Sequence, residues 1–528
     1  MSSIDPVTSE VIKKSLIYAS EEMGIAVRNS AYSPNIKERL DHSCALFDAR
    51  GRLIAQAEHI PVHLGSLPWG LRTTLDVLSA QNEYMQCGDM WVVNDPYISG
   101  THLNDVTVIR PIFWQKTLTG FAANKAHHTD VGGSVPGSMS ADAADLFSEG
   151  LIVPPIRLMK DEEVVRDAVA MFRANSRTPS ARSGDLKAQI AGNITGERRM
   201  LELVDRYGRD VFELAIERIL DESERRMRWE LSSLREGTFH ALDFLEDAQG
   251  KPSIRIQLAL TLSDGKATLD YGGTSEQTTV PLNAVYGVTL SGAYYALRAV
   301  TDPTIPMNEG CFRPVEVMVP AGTLLNPRRP APVSGGNVET STRNADVVLQ
   351  ALAQAAPDRV PACSGGTMSN VMMGGVTDAG DSWVFYETNG CGMGGRPGMD
   401  GIDGIQCHMT NTLNTPIEAV ERYYPLRITR YEFAENTGGR GHFRGGWGLI
   451  RALQLREGSC RVSLLADRHT MQPPGSFGGE AAACGHHTLQ HEQTRTSLPA
   501  KTTVEISVGD TIIVQTPGGG GYGMPMAK

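Results

Sequence analysis

Six of the chain's thirteen histidines, at positions 42, 59, 63, 102, 127 and 128, crowd into one short stretch. Within it the spacing His-x-x-Asp occurs twice, as His102/Asp105 in THLND and His127/Asp130 in HHTD. Imidazole nitrogen and carboxylate oxygen are the donor types that hold Zn²⁺ or Mn²⁺ near neutral pH. A three-residue gap suits a loop running into a strand, because both side chains can turn toward one point. Asp41, in ERLDHSC, offers a further oxygen. One such pair alone reads as a surface hydrogen bond. Two copies, both in loops flanked by strands, point to a metal site. A hydrogen-bonded structural cluster is the competing reading, and spacing alone leaves Asp130 open as a ligand.

Other chemistries lack their residues. There is no G-x-x-x-x-G-K-[ST], no G-x-S-x-G and no H-E-x-x-H. Gly390-x-Gly392-x-x-Gly395 and Gly518-x-Gly520-x-x-Gly523 match the dinucleotide spacing. The first runs into Arg396-Pro397-Gly398 and the second into the last residues, so neither opens the helix that the fingerprint requires. Cys44 beside His42, and Cys391, read as structural thiols rather than nucleophiles. The Gly-dense segments 334–341, 389–404 and 438–448 read as close backbone packing, and segment 389–404 is also a candidate for substrate or subunit contact.

The elements that must position these groups follow from periodicity. Pro6 and apolar Ile12, Leu16, Ala19, Met23 and Val27 predict an opening helix of about 25 residues. Residues 42–62 read as a hairpin turning at Ala49-Arg50-Gly51, followed by a helix over about 66–80. Met90–Val93, Asp105–Ile112 and Gly120–Lys125 read as strands, the last delivering His127 and His128. From 161 to 236 the chain is charged and helix-periodic, with breaks near Pro179 and Gly208. After Gly237 the period turns toward two, with a hairpin at Asp264-Gly265. The expected fold is α+β in three parts: a metal-bearing α/β region (1–160), a helical segment (161–236) and a mixed, strand-rich region (237–528).

Composition narrows the class. The 528 residues carry 49 Lys and Arg against 60 Asp and Glu, a net charge of −11. That balance argues against a nucleic-acid or anionic-membrane surface. No run of about 18 apolar residues predicts a membrane span, and the first residues have no apolar core of a signal peptide. Eight scattered cysteines without a C-x-x-C pattern fit a reduced, cytoplasmic protein.

The blocks DHSCALFDARGRLIAQAEHIPVHLGS, NDPYISGTHLNDVTVIRPIF, KAHHTDVGGSVPGSMS, GGNVETS and PLRITRYEFAENTGGRGHFRGGWG resemble the hydantoinase B/oxoprolinase family, over nearly the whole chain. The resemblance implies a divalent metal, Mn²⁺ or Zn²⁺, on Asp41, His102, Asp105 and His127. His128 and Asp130 would then be neighbouring or proton-transfer groups, the catalytic candidates. It implies an ATPase partner of the hydantoinase A type, with ATP and Mg²⁺ bound there, in an A2B2 heterotetramer that opens small cyclic amides. A lactam carbonyl is a poor electrophile, and phosphorylation of its oxygen with the partner's ATP would activate it. Water on the metal, its pKa lowered toward 7, would attack that carbon, with His128 or Asp130 as general base. The alternatives are a subunit of the acetone-carboxylase type and a metallohydrolase that acts alone.

Overall fold

Asp5 starts the first helix by accepting the Thr8 N–H at 3.0 Å, with Pro6 at the first helical position. The computed structural model describes residues 4–57 and 59–525. Ile12, Leu16, Ala19, Met23 and Val27 line the buried face of this helix, Pro6–Ser30. They pack on one face of a seven-stranded antiparallel sheet, against Leu46, Ala122 and Ala126. Its strands are β1 (His42–Asp48), β2 (Leu53–Gln56), β3 (Met90–Val93), β4 (Asp105–Trp114), β5 (Thr117–His127), β6 (Ile156–Lys160) and β7 (Glu163–Val164). Their order across the sheet is β2-β1-β5-β4-β3-β6-β7.

Three helices follow, Arg166–Ala174, Pro179–Tyr207 and Arg209–Ser232, broken at Pro179 and Gly208 as the sequence predicts. The latter two share the apolar cluster under the first helix, through Met200, Leu203, Phe212 and Ile216. Gly192 and Gly196 permit close contact there. A Cβ on either would stand 2.5 Å from Val27 Cγ2 or Met23 Sδ respectively. The helix His63–Ala80 covers the opposite sheet face, Leu67 and Leu71 meeting Phe47, Ile109 and Phe121. Both sheet faces are thus dry, which is why β1 is buried along its whole length.

Beyond Gly237 a four-stranded sheet, containing the hairpin Pro252–Ser263 and Lys266–Asp270, packs with the helices Tyr286–Ala299 and Ser341–Ala355. Two further sheets close the chain. One holds Ser382–Glu387, Asn370–Val376, Ser459–Leu465 and Lys501–Ile506 in that order; the other holds Leu426–Ala434, Gly448–Leu455, Thr511–Gln515, His486–His491 and Thr494–Leu498. Met373, Phe385 and Val462 of the first meet Leu453, Ile512 and Val514 of the second, forming a sandwich core.

The fold is α+β, with 31% helix and 27% strand. Element ends move by a few residues from the sequence expectation. The helix expected at 66 begins at His63, and the strand expected over 120–125 runs from Thr117 to His127. Among the described residues no helix is long and apolar enough to cross a membrane. The largest apolar cluster joins Ile60, Val62 and Leu103 to Val338, Met368 and Met409, so early and late parts of the chain meet around one place.

Candidate metal centre

That place is the end of β4 and β5. In their antiparallel register Asp105, the first residue of β4, lies opposite His127, the last of β5. His102 sits one turn before β4, where its C=O accepts the Asp105 N–H at 3.1 Å. The loop is tied to the strand end, since His128 N–H donates to Asn104 C=O at 2.8 Å and Asn104 Nδ2 donates to His128 C=O at 3.0 Å. Lys125, fully buried, donates to Ser99 C=O at 2.7 Å and Thr101 Oγ1 at 3.0 Å, anchoring the approach to His102. Burial pulls its ammonium down to about 7.

Three donor atoms converge. His102 Nε2 and His127 Nδ1 are 3.1 Å apart, and Asp105 Oδ1 is 3.2 and 3.3 Å from them. These three residues form a group able to hold a metal ion. Two imidazole nitrogens at this distance share a proton or a cation between them, and the donor set suits the cation. Asp41 stands at the rim, its Oδ2 4.0 Å from His127 Nδ1 and 3.4 Å from Asn35 Nδ2. Its C=O accepts the His127 N–H at 3.0 Å, which joins the start of β1 to the end of β5. Of the four residues proposed as ligands from the family resemblance, the structure brings His102, Asp105 and His127 together and places Asp41 beside His127.

Electrostatics follow from burial and from the neighbouring charges. Burial pushes the Asp105 carboxyl up, but the His102 and His63 rings outweigh it and hold the group well below its ordinary range. Burial likewise pulls His102 down, and the Asp105 charge overrides it, so His102 stands above its ordinary value. His127 stays below, because burial dominates there.

His128 and Asp130 turn elsewhere. His128 Nε2 lies 2.9 Å from Gln189 Oε1, on the helix Pro179–Tyr207, across the sheet from the cluster. Burial, reinforced by the Arg182 charge, holds its ring far below the usual imidazole range despite the Gln189 contact. Asp130 accepts the Arg177 N–H at 2.8 Å, the Arg177 guanidinium at 2.9 Å and the Gly137 N–H at 3.2 Å. Neither side chain belongs to the His102, Asp105 and His127 group, to which the resemblance attached them as proton-transfer candidates. Successive residues of a strand face opposite ways, so His127 entering the cluster sends His128 out of it.

Other side chains complete the site. His63 Nε2 is 3.2 Å from Asp105 Oδ2, and Asn337 Nδ2 lies 3.5 Å from the same oxygen. Asn337 arrives on a π-helical turn, Gly336–Thr340, within SGGNVETS. Tyr386 stacks on the His127 ring at 4.6 Å and 16°. The surrounding cleft adds Ile60, Val62, Met368, Thr388 and Met409. The sequence flagged His63 only as one of the crowded histidines and Asn337 only within a Gly-rich segment. Tyr386 carried no signal at all.

Comparison with known proteins extends over this whole architecture. The hydantoinase B/oxoprolinase family model matches residues 5–525. Protein MJ0963 of Methanocaldococcus jannaschii is 47% identical, covering 99% of this chain and 92% of its own. A protein of a Pseudomonas species, named as a subunit of a D-/L-hydantoinase, is 34% identical, covering 100% and 91%. The 5-oxoprolinase 1 of Arabidopsis thaliana is 35% identical over 98% of this chain, which spans only 42% of that longer protein. Among solved structures, the ATP-dependent caprolactamase from Pseudomonas jessenii superposes with a TM-score of 0.92 at 30% identity, covering 99% of this chain and 92% of that one. Acetone carboxylase shares the fold, with a TM-score of 0.91 at 19% identity over 98% and 76%. The chain belongs to the hydantoinase B/oxoprolinase family.

Proposed function

We propose that this chain is the metal-bearing, hydrolytic subunit of an ATP-dependent enzyme that opens small cyclic amides. The observation that carries the reading is the convergence of His102, Asp105 and His127 with Asp41 beside them, at the meeting point of early and late parts of the chain. Relatives that are ATP-dependent amide hydrolases support it, caprolactamase and 5-oxoprolinase by name. Asp41, His102, Asp105 and His127 would hold Mn²⁺ or Zn²⁺, which supplies Lewis acidity and acidifies a coordinated water. His63 and Asn337 fix the Asp105 carboxylate, and Tyr386 fixes the His127 ring. Thr388 and the Asn337 amide offer polar contacts to a ring amide, while Val62, Met368 and Met409 give the apolar wall. No proton transfer is assigned to His128 or Asp130.

ATP chemistry belongs to a separate ATPase subunit of the hydantoinase A type, in an A2B2 assembly. The naming of the Pseudomonas relative as one subunit of a larger enzyme supports this, as does the absence of a phosphate-loop motif. Placement in the cytoplasm is part of the same reading, and eight free cysteines fit it. The test is turnover of a panel of hydantoins, 5-oxoproline and larger lactams by the chain alone and with its partner. ATP-dependent ring opening by the pair only is expected, and His127→Ala should abolish it while the pair still assembles. Bicarbonate-dependent ATP turnover would support instead the carboxylase reading, which shared fold with acetone carboxylase keeps in view. Full activity of the isolated chain without ATP would overturn the proposal.

A further inference from the structure

Arg39 is fully buried, and every acceptor its N–H groups meet is uncharged. Its Nε donates to Leu413 C=O at 3.3 Å. Nη1 donates to the Asn35 side-chain oxygen and to Tyr386 C=O, the latter at 3.3 Å. Nη2 donates to Thr388 Oγ1 at 2.9 Å and to Thr412 Oγ1 at 3.2 Å. All five N–H groups of the guanidinium are thus used. The Asp41 carboxylate is reached only through the Asn35 amide, whose Nδ2 lies 3.4 Å from Asp41 Oδ2. A buried cation met only by dipoles is costly, and this one leaves positive charge behind the cleft.

The hydroxyls it touches run to the cleft in a fixed order. A hydroxyl has one hydrogen to give and accepts two hydrogen bonds. Thr388 Oγ1 accepts from Arg39 and from Gln406 Nε2, each at 2.9 Å, so it is the donor in its 3.0 Å contact with Thr412 Oγ1. Thr412 Oγ1 then holds the bonds from Arg39 and Thr388, which makes it the donor to Thr410 Oγ1 at 3.2 Å. Thr410 Oγ1 also accepts the Thr412 N–H at 3.3 Å. With both acceptor places taken, it has only its hydrogen left to give. Among the described residues no acceptor takes that hydrogen, and Thr410, 6% exposed, lines the cleft of His102, Asp105 and His127. The direction of the chain is set at its buried end, and Thr388 reaches a ring amide through it.

Thr410 is held from both sides. Met409 C=O accepts the Val62 N–H at 3.2 Å, and Leu413 N–H donates to Arg39 C=O at 3.1 Å. Successive hydrogen bonds polarise one another. A hydroxyl fixed at the end of a chain that starts on a cation is a preorganised donor for an oxygen that gains negative charge.

We propose that Thr410 donates its hydroxyl to the carbonyl oxygen of the ring amide, with Arg39 and Thr412 as the positioning residues that aim and polarise it. The inference rests on the function proposed above and names the group that reads the substrate's oxygen. Turnover of the ring-amide panel by the chain with its ATPase partner tests it. Thr410→Val keeps the shape and removes the donor. It should lower kcat by about 100- to 1,000-fold, the usual cost of losing one such donor, with KM moved less. Thr410→Ser keeps the hydroxyl and should recover most of the loss. Thr412→Val leaves the donor without its fixed orientation and should fall between the two. Chelator competition should give wild-type metal affinity for all three variants, since neither threonine touches His102, Asp105 or His127. Wild-type kcat in Thr410→Val or in Thr412→Val, an equal loss in Thr410→Ser, or metal lost from Thr410→Val would overturn the proposal and leave the functional reading standing. A wild-type pair that opens no ring amide would overturn that reading, and this inference with it.

Discussion

Replacing His63 by alanine isolates the relay that aims Asp105. His63 is buried, with Nε2 3.2 Å from Asp105 Oδ2 and Nδ1 2.9 Å from Ser43 Oγ. An ionised carboxylate only accepts, so Nε2 carries the proton. On the other side of the ring Nδ1 meets the Ser43 hydroxyl, whose oxygen accepts the Ile60 N–H at 3.2 Å. This chain of donors pins Oδ2 and leaves Oδ1 facing the two imidazoles. The remaining contact to Oδ2, from Asn337 at 3.5 Å, is at the limit of a hydrogen bond. Losing such a supporting partner costs about 10- to 100-fold in metal affinity, or about 1.4–2.7 kcal/mol. Competition of Zn²⁺ or Mn²⁺ with a chromophoric chelator measures it. His63→Gln, which restores an N–H donor, should recover part of the loss. The variant also leaves a buried void and an unpartnered hydroxyl, costing about 1–3 kcal/mol of folding stability. Denaturant unfolding of the metal-free proteins separates that cost from the loss of affinity. His63→Ala binding within twofold of wild type would refute the relay.

Asp105→Asn keeps the shape and removes the anionic donor, so metal content by elemental analysis should collapse; undiminished metal would sink the site. Asp130→Asn should act on stability instead, by about 1–3 kcal/mol for a buried charge-assisted network, with metal affinity changed less than threefold. Denaturant midpoints and chelator titration on one preparation decide between the two roles. Acid should unfold the protein early, because burial holds His42 at about 3 and His59 and His469 at about 4. Their folded values lie below the unfolded 6.5, so the stability they contribute is present above pH 6.5. It is lost as pH falls toward 4 and 3, by about 1.4 kcal/mol per pH unit for each group. Denaturation free energies that stay flat between pH 7 and 5 would refute this.

The regular elements were legible where one period dominates. The spacing of Ile12, Leu16, Ala19, Met23 and Val27 matches the buried face of the first helix because that face packs on one flat sheet. Element ends were less legible. His63 starts its helix without a capping side chain, so no residue type marks the boundary. Strand β5 extends to His127 because pairing with β1 and β4 on both sides carries it past its apolar run. Tertiary pairing of this kind leaves no local signature.

The site shows the same division. Asp105 and His127 were findable because each belongs to a short polar motif at a strand end, and the β4/β5 register sets them opposite. The same motifs did not separate His128 and Asp130 from the converging group, since spacing counts residues and ignores which face of the sheet each one takes. Alternation at the end of β5 sends His127 to the cluster and His128 to Gln189, and one residue of register is the whole difference. Tyr386 and Asn337 come from more than 200 positions away in the chain, held by a strand and a π-helical turn whose approach depends on the packing of Val338, Met368 and Met409. Donor type and spacing therefore suffice to nominate the residues that converge at the strand ends. The residues that aim them are set by register and long-range packing, and these become visible only once the two ends of the chain meet.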